Sequence, residues 1–360
     1  MAHSLLQRLH IALPIVQGPM AGADTPALAA AVSAAGGLGM LGCGMRSPAA
    51  MAEAAAAVRQ QTDRPFGMNL FIQATPTPDE ATVQAALQRL APLYAELGLV
   101  PEVPSQWCED FAAQLDALVA LRPAVASFTF GILSAAQVAR LQAAGCLVVG
   151  TATTVAEAQA WAAVGADAVC ASGMEAGGHR GTFLGDFPSS LVGTLALVPQ
   201  CVDALDIPVI AAGGIMDGRG MAAAQALGAQ AVQMGTAFLA CPESSIGPAY
   251  RQALAQAKDT DTRLTRVFSG RPARGIVNPM MEALAADEAL VPPYPIQNAL
   301  TGPLRRSAAA QGRASHLSLW AGQGVAAVRP MPAAQLVAML AKEWTLAVRA
   351  IHRTQRSGSG

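Results

Sequence analysis

Ile207-Pro-Val-Ile-Ala-Ala-Gly-Gly-Ile-Met-Asp-Gly-Arg-Gly-Met-Ala-Ala-Ala-Gln-Ala-Leu-Gly-Ala-Gln-Ala-Val-Gln-Met-Gly-Thr236 holds one full repeat of the chain's architecture. The apolar run at 209–211 has the length of a buried parallel strand, and Gly213-Gly214 ends it. A helix follows and stops at Leu227-Gly228-Ala229, where glycine supplies a left-handed C-terminal cap. A second apolar run at 231–234 ends at Gly235-Thr236. The same helix ending recurs at Ala144-Gly145 and at Val164-Gly165-Ala166.

Working outward, the same rhythm predicts strands at 15–17, 38–41, 66–70, 124–128, 147–150 and 168–171. Most successive strands start about 21 to 28 residues apart, the spacing of a closed parallel (β/α)8 TIM barrel, with a doubly wound open sheet as the alternative. Two gaps are longer. Residues 75–122 carry Pro76, Pro78, Pro92, Pro101 and Pro104 around two helical stretches, which predicts an inserted helical segment covering the site. The other holds the glycine-rich loop that runs from Gly177 to Pro188. Beyond Pro242 the strand rhythm stops. The expected organisation is a barrel over 1–240, a mostly helical C-terminal cap over 241–356 that packs on it, and a flexible tail at 357–360.

Composition narrows the function. Charged residues make up 13% of the 360, against about 25% in typical soluble proteins. Hydrophobic residues reach 52%. A formal net charge of -1 offers no electrostatic footprint for nucleic acid or an anionic membrane, so small molecules are the expected partners. The six cysteines are scattered without Cys-x-x-Cys pairs or nearby histidines, which predicts reduced thiols in a cytoplasmic protein and no metal site. Pro14 and Pro19 interrupt the apolar N-terminal run, which argues against a signal peptide. The uncharged stretch between Asp24 and Arg46 holds Pro26, Ser33 and five glycines, and predicts a buried helix, turn and strand rather than a membrane span.

Four features bear on chemistry. In Ser172-Gly-Met-Glu-Ala-Gly-Gly-His-Arg-Gly181, Gly177 and Gly178 let the backbone approach a flat or phosphorylated ligand while His179 stands beside it as a candidate base. Gly213, Gly214, Gly235 and Thr236 end the last two strands, where barrels commonly hold a phosphate on backbone amides. Asn69 sits at a strand end, where its amide could bond a planar ring. Gly37-Leu-Gly-Met-Leu-Gly42 matches the dinucleotide fingerprint in letters only, because a helix precedes it and the glycines overlap a strand. Arg271 and Arg274, in Ser269-Gly-Arg-Pro-Ala-Arg-Gly275, read as structural or solvated side chains, with contact to an anionic substrate as the alternative.

Taken in order, Pro14-Ile-Val-Gln-Gly-Pro-Met-Ala-Gly22, Glu175-Ala-Gly-Gly-His-Arg-Gly181, Ala211-Ala-Gly-Gly-Ile-Met-Asp-Gly-Arg-Gly220, Gln233-Met-Gly-Thr236, Pro293-Tyr-Pro-Ile-Gln-Asn298 and Trp320-Ala-Gly-Gln-Gly324 resemble the class I nitronate monooxygenases, formerly 2-nitropropane dioxygenases. The resemblance implies an FMN-binding barrel that uses O2 to convert alkyl nitronates, such as propionate 3-nitronate, to carbonyl compounds and nitrite, a detoxification. It places FMN contacts on Asn69, Gly177, Gly214, Gln233, Met234, Gly235 and Thr236, adds Met20, Gln323 and Gly324 to the flavin site, and makes His179 the base. Phe71 and Tyr294 are candidates for the apolar substrate wall. The chain departs from the family at Ser172, where a flavin-contacting glutamine is expected. The alternatives are an FMN-dependent NAD(P)H reductase of quinones or enoyl thioesters, and a flavin-binding barrel without turnover.

Overall fold

The computed structural model describes residues 4–357. Its strands are β1 (Ile15–Gln17), β2 (Gly39–Gly42), β3 (Phe66–Phe71), β4 (Val125–Thr129), β5 (Leu147–Ala152), β6 (Ala168–Ser172), β7 (Gly178–His179), β8 (Val209–Ala212), β9 (Ala231–Met234), β10 (Thr262–Thr265) and β11 (Ala273–Ile276). Eight of them form one parallel sheet in the order β1-β9-β8-β6-β5-β4-β3-β2. A parallel bridge between Val16 and Leu38 joins its two ends. There the Gln17 amide donates to the Leu38 carbonyl and the Leu38 amide to Ile15, both at 2.9 Å. The fully buried Gln17 side chain reinforces the seam, its Oε1 accepting the Met40 N–H at 2.9 Å. The sheet is therefore a closed (β/α)8 barrel, and the open-sheet alternative falls.

Local chemistry sets the helices. Thr25 and Ser47 each precede a proline at the first helical position, and their hydroxyls accept the Leu28 and Ala50 amides. Gly145, Gly165 and Gly228 take φ of 91°, 89° and 95°, as the cap reading requires. A Cβ on Gly39 would lie 2.0 Å from the Ala29 carbonyl oxygen, so that glycine serves helix-on-strand packing rather than a nucleotide.

Strand alternation sorts side chains between two cores. Outward residues such as Met68, Ala126, Phe128, Val148 and Val169 pack against the helices. Inward residues Val16, Met40, Val125, Val149, Cys170 and Ile210 fill the barrel, and Leu5 and Leu9 of the helix Leu5–Leu9 join them. Towards the C-terminal strand ends, in-facing positions become polar: Asn69, Ser127, Thr129, Thr151, Ser172 and Gln233 line a cavity there.

Of the two helices in the 75–122 segment, Phe111–Leu121 buries Leu115 and Leu118 in the barrel core. The other, Glu80–Glu96, packs Leu87, Leu90 and Tyr94 with Leu300 and Leu304 of the helix Ile296–Ala310, forming a second core with the cap. Tyr94 Oη donates to the Leu300 carbonyl at 2.6 Å inside it. The region after Pro242 is less purely helical than its proline pattern implies. It contributes β10 and β11, and β11 pairs with β7 to make a three-stranded antiparallel sheet. These short strands, Thr262–Thr265 and Ala273–Ile276, are interrupted by arginine and so lack the apolar runs that mark the barrel strands. The last helix, Ala333–Ser357, buries Leu336, Val337 and Leu340 in the barrel core. It crosses the helix Gly218–Ala226 closely, since a Cβ on Gly218 would meet the Trp344 amide at 2.1 Å. Ser357 closes that helix, and the rest of the tail expected at 357–360 lies outside the described residues. Among the described residues all six cysteines are free, and no helix is long and apolar enough to cross a membrane.

Candidate active site

A cavity of about 410 Å3 opens at the C-terminal ends of the barrel strands. Its floor is built from strand ends. Asn69 is buried on β3, its Nδ2 donating to Ser127 Oγ at 2.9 Å and Thr129 Oγ1 at 3.3 Å, and Thr129 in turn meets Thr151 Oγ1 at 3.3 Å. Ser172 ends β6 at the same level. Met20 is held by its amide, which donates to Asp24 Oδ2 at 2.6 Å, and the Gly42 amide shares that oxygen at 2.7 Å. Burial pushes the Asp24 carboxyl up to about 7, against the pull of those amides and of Arg46.

Beside these lies a cradle of backbone. Gly213 and Gly214 adopt φ of 108° and 70°, a region other residues rarely occupy. Thr194 Oγ1 fixes the turn, lying 3.0 Å from the Gly213 carbonyl while donating to the Glu175 carboxylate at 2.8 Å. Among the described residues the Gly214 amide has no hydrogen-bond partner. Gly235 is open, with only Met20 side-chain atoms near its would-be Cβ, at 3.8 Å or more. Thr236 Oγ1 accepts the Gly322 amide at 2.9 Å, and a Cβ on Gly177 would come within 2.5 Å of that nitrogen, so the two glycine loops stack.

The opposite wall comes from β7 and the cap. Arg180, 1% exposed, ties the end of β7 to the end of β6 by donating to the Ser172 and Gly173 carbonyls at 3.0 and 2.6 Å. Buried Glu157 anchors the loop beyond, accepting the Phe183 and Leu184 amides at 2.5 and 2.9 Å. Just before these anchors His179 is half-buried, its ring centroid 5.4 Å from Phe130 and Trp320, 5.6 Å from Tyr294 and 6.3 Å from Phe71. Its Nε2 meets Ser269 Oγ at 2.8 Å. The apolar surroundings push the imidazole down to about 3, with Arg271 and Arg305 adding to the effect, so it is uncharged at neutral pH.

Arg305 also lines the cavity. Its Nη2 donates to the Asn298 carbonyl and Oδ1, both at 2.8 Å, while its Nε is buried without a partner. Among the described residues no carboxylate pairs with it. Burial lowers this guanidinium to about 10, which leaves it charged.

A family model described as nitronate monooxygenase matches residues 3–343. The chain belongs to that family. It is 46% identical over 341 residues to the nitronate monooxygenase of Pseudomonas aeruginosa, covering 93% of this chain and 97% of that one. The crystal structure of nitroalkane oxidase from Streptomyces ansochromogenes superposes with a TM-score of 0.89 at 43% identity, covering 96% and 99% of the two chains. FabK from Thermotoga maritima gives 0.77 at 32% identity, covering 98% and 100%.

In this nitronate monooxygenase family member the cavity gathers Met20, Asn69, Phe71, Ser172, Gly177, Gly178, His179, Gly213, Gly214, Gln233, Met234, Gly235, Thr236, Tyr294 and Gly324. Gln323 is outside the lining, because its amide donates to the Glu175 carbonyl at 2.9 Å and turns that residue into the loop stack. Sequence reasoning passed over Ser127, Thr129, Thr151 and Trp320 of the lining, and three further residues that shape the wall. Phe130 stacks on Phe71 at 4.3 Å with a φ of 81°, a strained conformation for an aromatic residue. Arg305 stands one helical repeat of seven after Asn298, a spacing that carries signal only once that face is known to meet the site. Ser269 lies in a motif where the two arginines carry the stronger signal. Arg271 is structural here, its Nε donating to the Arg180 carbonyl at 3.0 Å and its guanidinium 4.1 Å from the Phe130 ring centroid.

Proposed function

We propose that this enzyme oxidises alkyl nitronates with O2 on bound FMN, releasing a carbonyl compound and nitrite, and so removes nitronate toxins such as propionate 3-nitronate. The observation that carries this reading is one cavity in which an uncharged imidazole and an unpaired guanidinium share an aromatic wall, facing a floor of glycine backbone.

The floor fits FMN. Gly213, Gly214 and Gly235 offer amides without side-chain bulk, with Thr236 at the start of the helix after β9, which suits one phosphate. Asn69, Ser172 and Gln233, with the threonine hydroxyls, suit the hydrogen-bonding edge of a flavin ring. Met20, Gly177, Gly178 and Gly324 allow its close approach. No second phosphate cradle is formed by the lining residues, which favours FMN over FAD. Bound FMN supplies the electron acceptor that O2 restores.

The wall handles the substrate. A nitronate is an anion, and a desolvated guanidinium without a carboxylate is a strong partner for it. When the substrate arrives as the neutral nitroalkane, His179 takes the α-proton, the C–H pair becomes a C=N bond, and charge moves onto the nitro oxygens near Arg305. The low imidazole pKa keeps the acceptor nitrogen free at neutral pH; the anion formed beside it offsets the cost of the imidazolium.

Purified protein is expected to release FMN on denaturation and to make nitrite from ethylnitronate with O2 uptake. FAD by mass spectrometry, or flavin bleached by NAD(P)H without oxygen in a protein that makes no nitrite from any nitronate, would overturn the reading.

A further inference from the structure

Ser269-Gly-Arg271 makes a turn against the site wall. Gly270 has a φ of 84°, and a Cβ there would lie 2.2 Å from the Pro292 carbonyl oxygen. The Gly270 amide donates to the Arg266 carbonyl at 2.7 Å, which holds the turn. Ser269 is 1% exposed, and its hydroxyl has three neighbours. It accepts the Arg271 N–H at 3.3 Å, it can donate to the Arg271 carbonyl at 3.1 Å, and it meets His179 Nε2 at 2.8 Å. The backbone of His179 is fixed independently, since His179 is paired opposite Ala273 in the β7–β11 ladder.

A hydroxyl has one proton and two lone pairs, so these contacts constrain one another. With its proton on the Arg271 carbonyl and one lone pair on the Arg271 amide, Ser269 Oγ has a single lone pair left for the imidazole. His179 Nε2 must then carry a proton and donate it. The neutral ring has no second proton, so Nδ1 bears a lone pair. Among the described residues Nδ1 has no hydrogen-bond partner, and it is not among the buried unpaired atoms. In the opposite tautomer Ser269 would donate to Nε2 and abandon the Arg271 carbonyl, and the cavity would face an N–H instead of a base.

We propose that Ser269 is a positioning residue that fixes the tautomer of His179, holding the proton on Nε2 and presenting the Nδ1 lone pair to the substrate's α-carbon. This rests on the reading of His179 as the base for nitroalkanes. In the proton transfer Nδ1 gains the carbon's proton, the carbon's bonding pair becomes the C=N bond of the nitronate, and the imidazolium keeps its Nε2–H on Ser269 throughout. A nitronate substrate bypasses the step.

The test is nitrogen NMR on the holoenzyme labelled at its five histidines, with the His179 signals assigned by their loss in His179→Asn. The expected wild-type result is a protonated Nε2 and an unprotonated Nδ1. Ser269→Ala should lose that preference and Ser269→Thr, which keeps the hydroxyl, should restore it. With Ser269→Ala the nitroethane rate should fall at least tenfold relative to the ethylnitronate rate, part of the ~10²- to 10⁴-fold that a positioned base contributes. A proton on Nδ1 in the wild type overturns the proposal even if neither variant folds, and so does the same tautomer in wild type and Ser269→Ala. If the tautomer shifts as expected while both substrates slow equally, Ser269 positions the ring but His179 is not the base.

Discussion

The floor and the wall of this cavity are built in opposite ways. The floor uses backbone and short side chains at the ends of neighbouring strands, each brought in by one regular element: Asn69 on β3, Ser172 on β6, Gly213-Gly214 after β8 and Gly235-Thr236 after β9. The wall draws on Phe71, Phe130, His179, Tyr294, Arg305 and Trp320, from three barrel strands or loops and two stretches of cap. A parallel barrel dictates where its strand ends go, so a floor of this kind follows from the fold. A wall assembled across the cap can change its chemistry without disturbing the barrel. On the proposed function cofactor binding falls to the floor and substrate handling to the wall, and the two should fail separately.

The largest effect on flavin binding should come from Gly214→Val. A β-branched residue at φ 70° is strained, and its Cβ would sit 3.3 Å from Glu175. Flavin affinity should fall by roughly 10²-fold or more as the amide cradle closes. Flavin content after dialysis reads this, and retention of full FMN would break the assignment of the floor. Arg305→Met should leave flavin content unchanged and raise KM for ethylnitronate about 10- to 100-fold, the loss of one charge-assisted interaction. Loss of flavin instead would move Arg305 from wall to floor.

Ser172→Gln sharpens the floor's side of the comparison. It restores a long amide beside the strand-end polar row, and one added hydrogen bond should contribute about 0.5 to 1.5 kcal/mol to FMN binding. Fluorescence titration of reconstituted apoprotein measures the change; weaker binding would mean that the pocket has closed around serine. The smallest effect expected is in the pH profile of nitroethane turnover. An imidazole lowered from 6.5 to about 3 keeps its acceptor form above pH 4. Lowering the pH from 8 to 5 should therefore cause no loss of kcat/KM assignable to protonation of His179, whereas an inflection near 6.5 that vanishes in His179→Asn would show a solvated ring.

The same contrast explains what could be read from sequence. Each barrel strand is a short apolar run, several of them preceded by a glycine-ended helix, and every one falls within a residue or two of its expected place. Gly213 and Gly214 were visible because φ above zero leaves a compositional trace, and Gly235, at φ -99°, because it ends a strand. β10 and β11 were not, since their pairing depends on β7 in a distant loop and their burial pattern has no clean alternation. Phe130 and Arg305 reach the site by tertiary packing. Nothing in Phe128-Thr-Phe130 or in the helix Ile296–Ala310 alone marks one aromatic or one arginine as facing the cavity.

The division of labour is tested most directly by oxygen uptake of His179→Asn with two forms of one substrate, on protein matched for flavin content. Asparagine keeps some hydrogen bonding but has no basicity near neutral pH. The account predicts that nitroethane turnover falls by roughly 10²- to 10⁴-fold while ethylnitronate turnover falls far less, because the nitronate has already lost its carbon proton. An equal fall with both forms, or no fall with either, would contradict it.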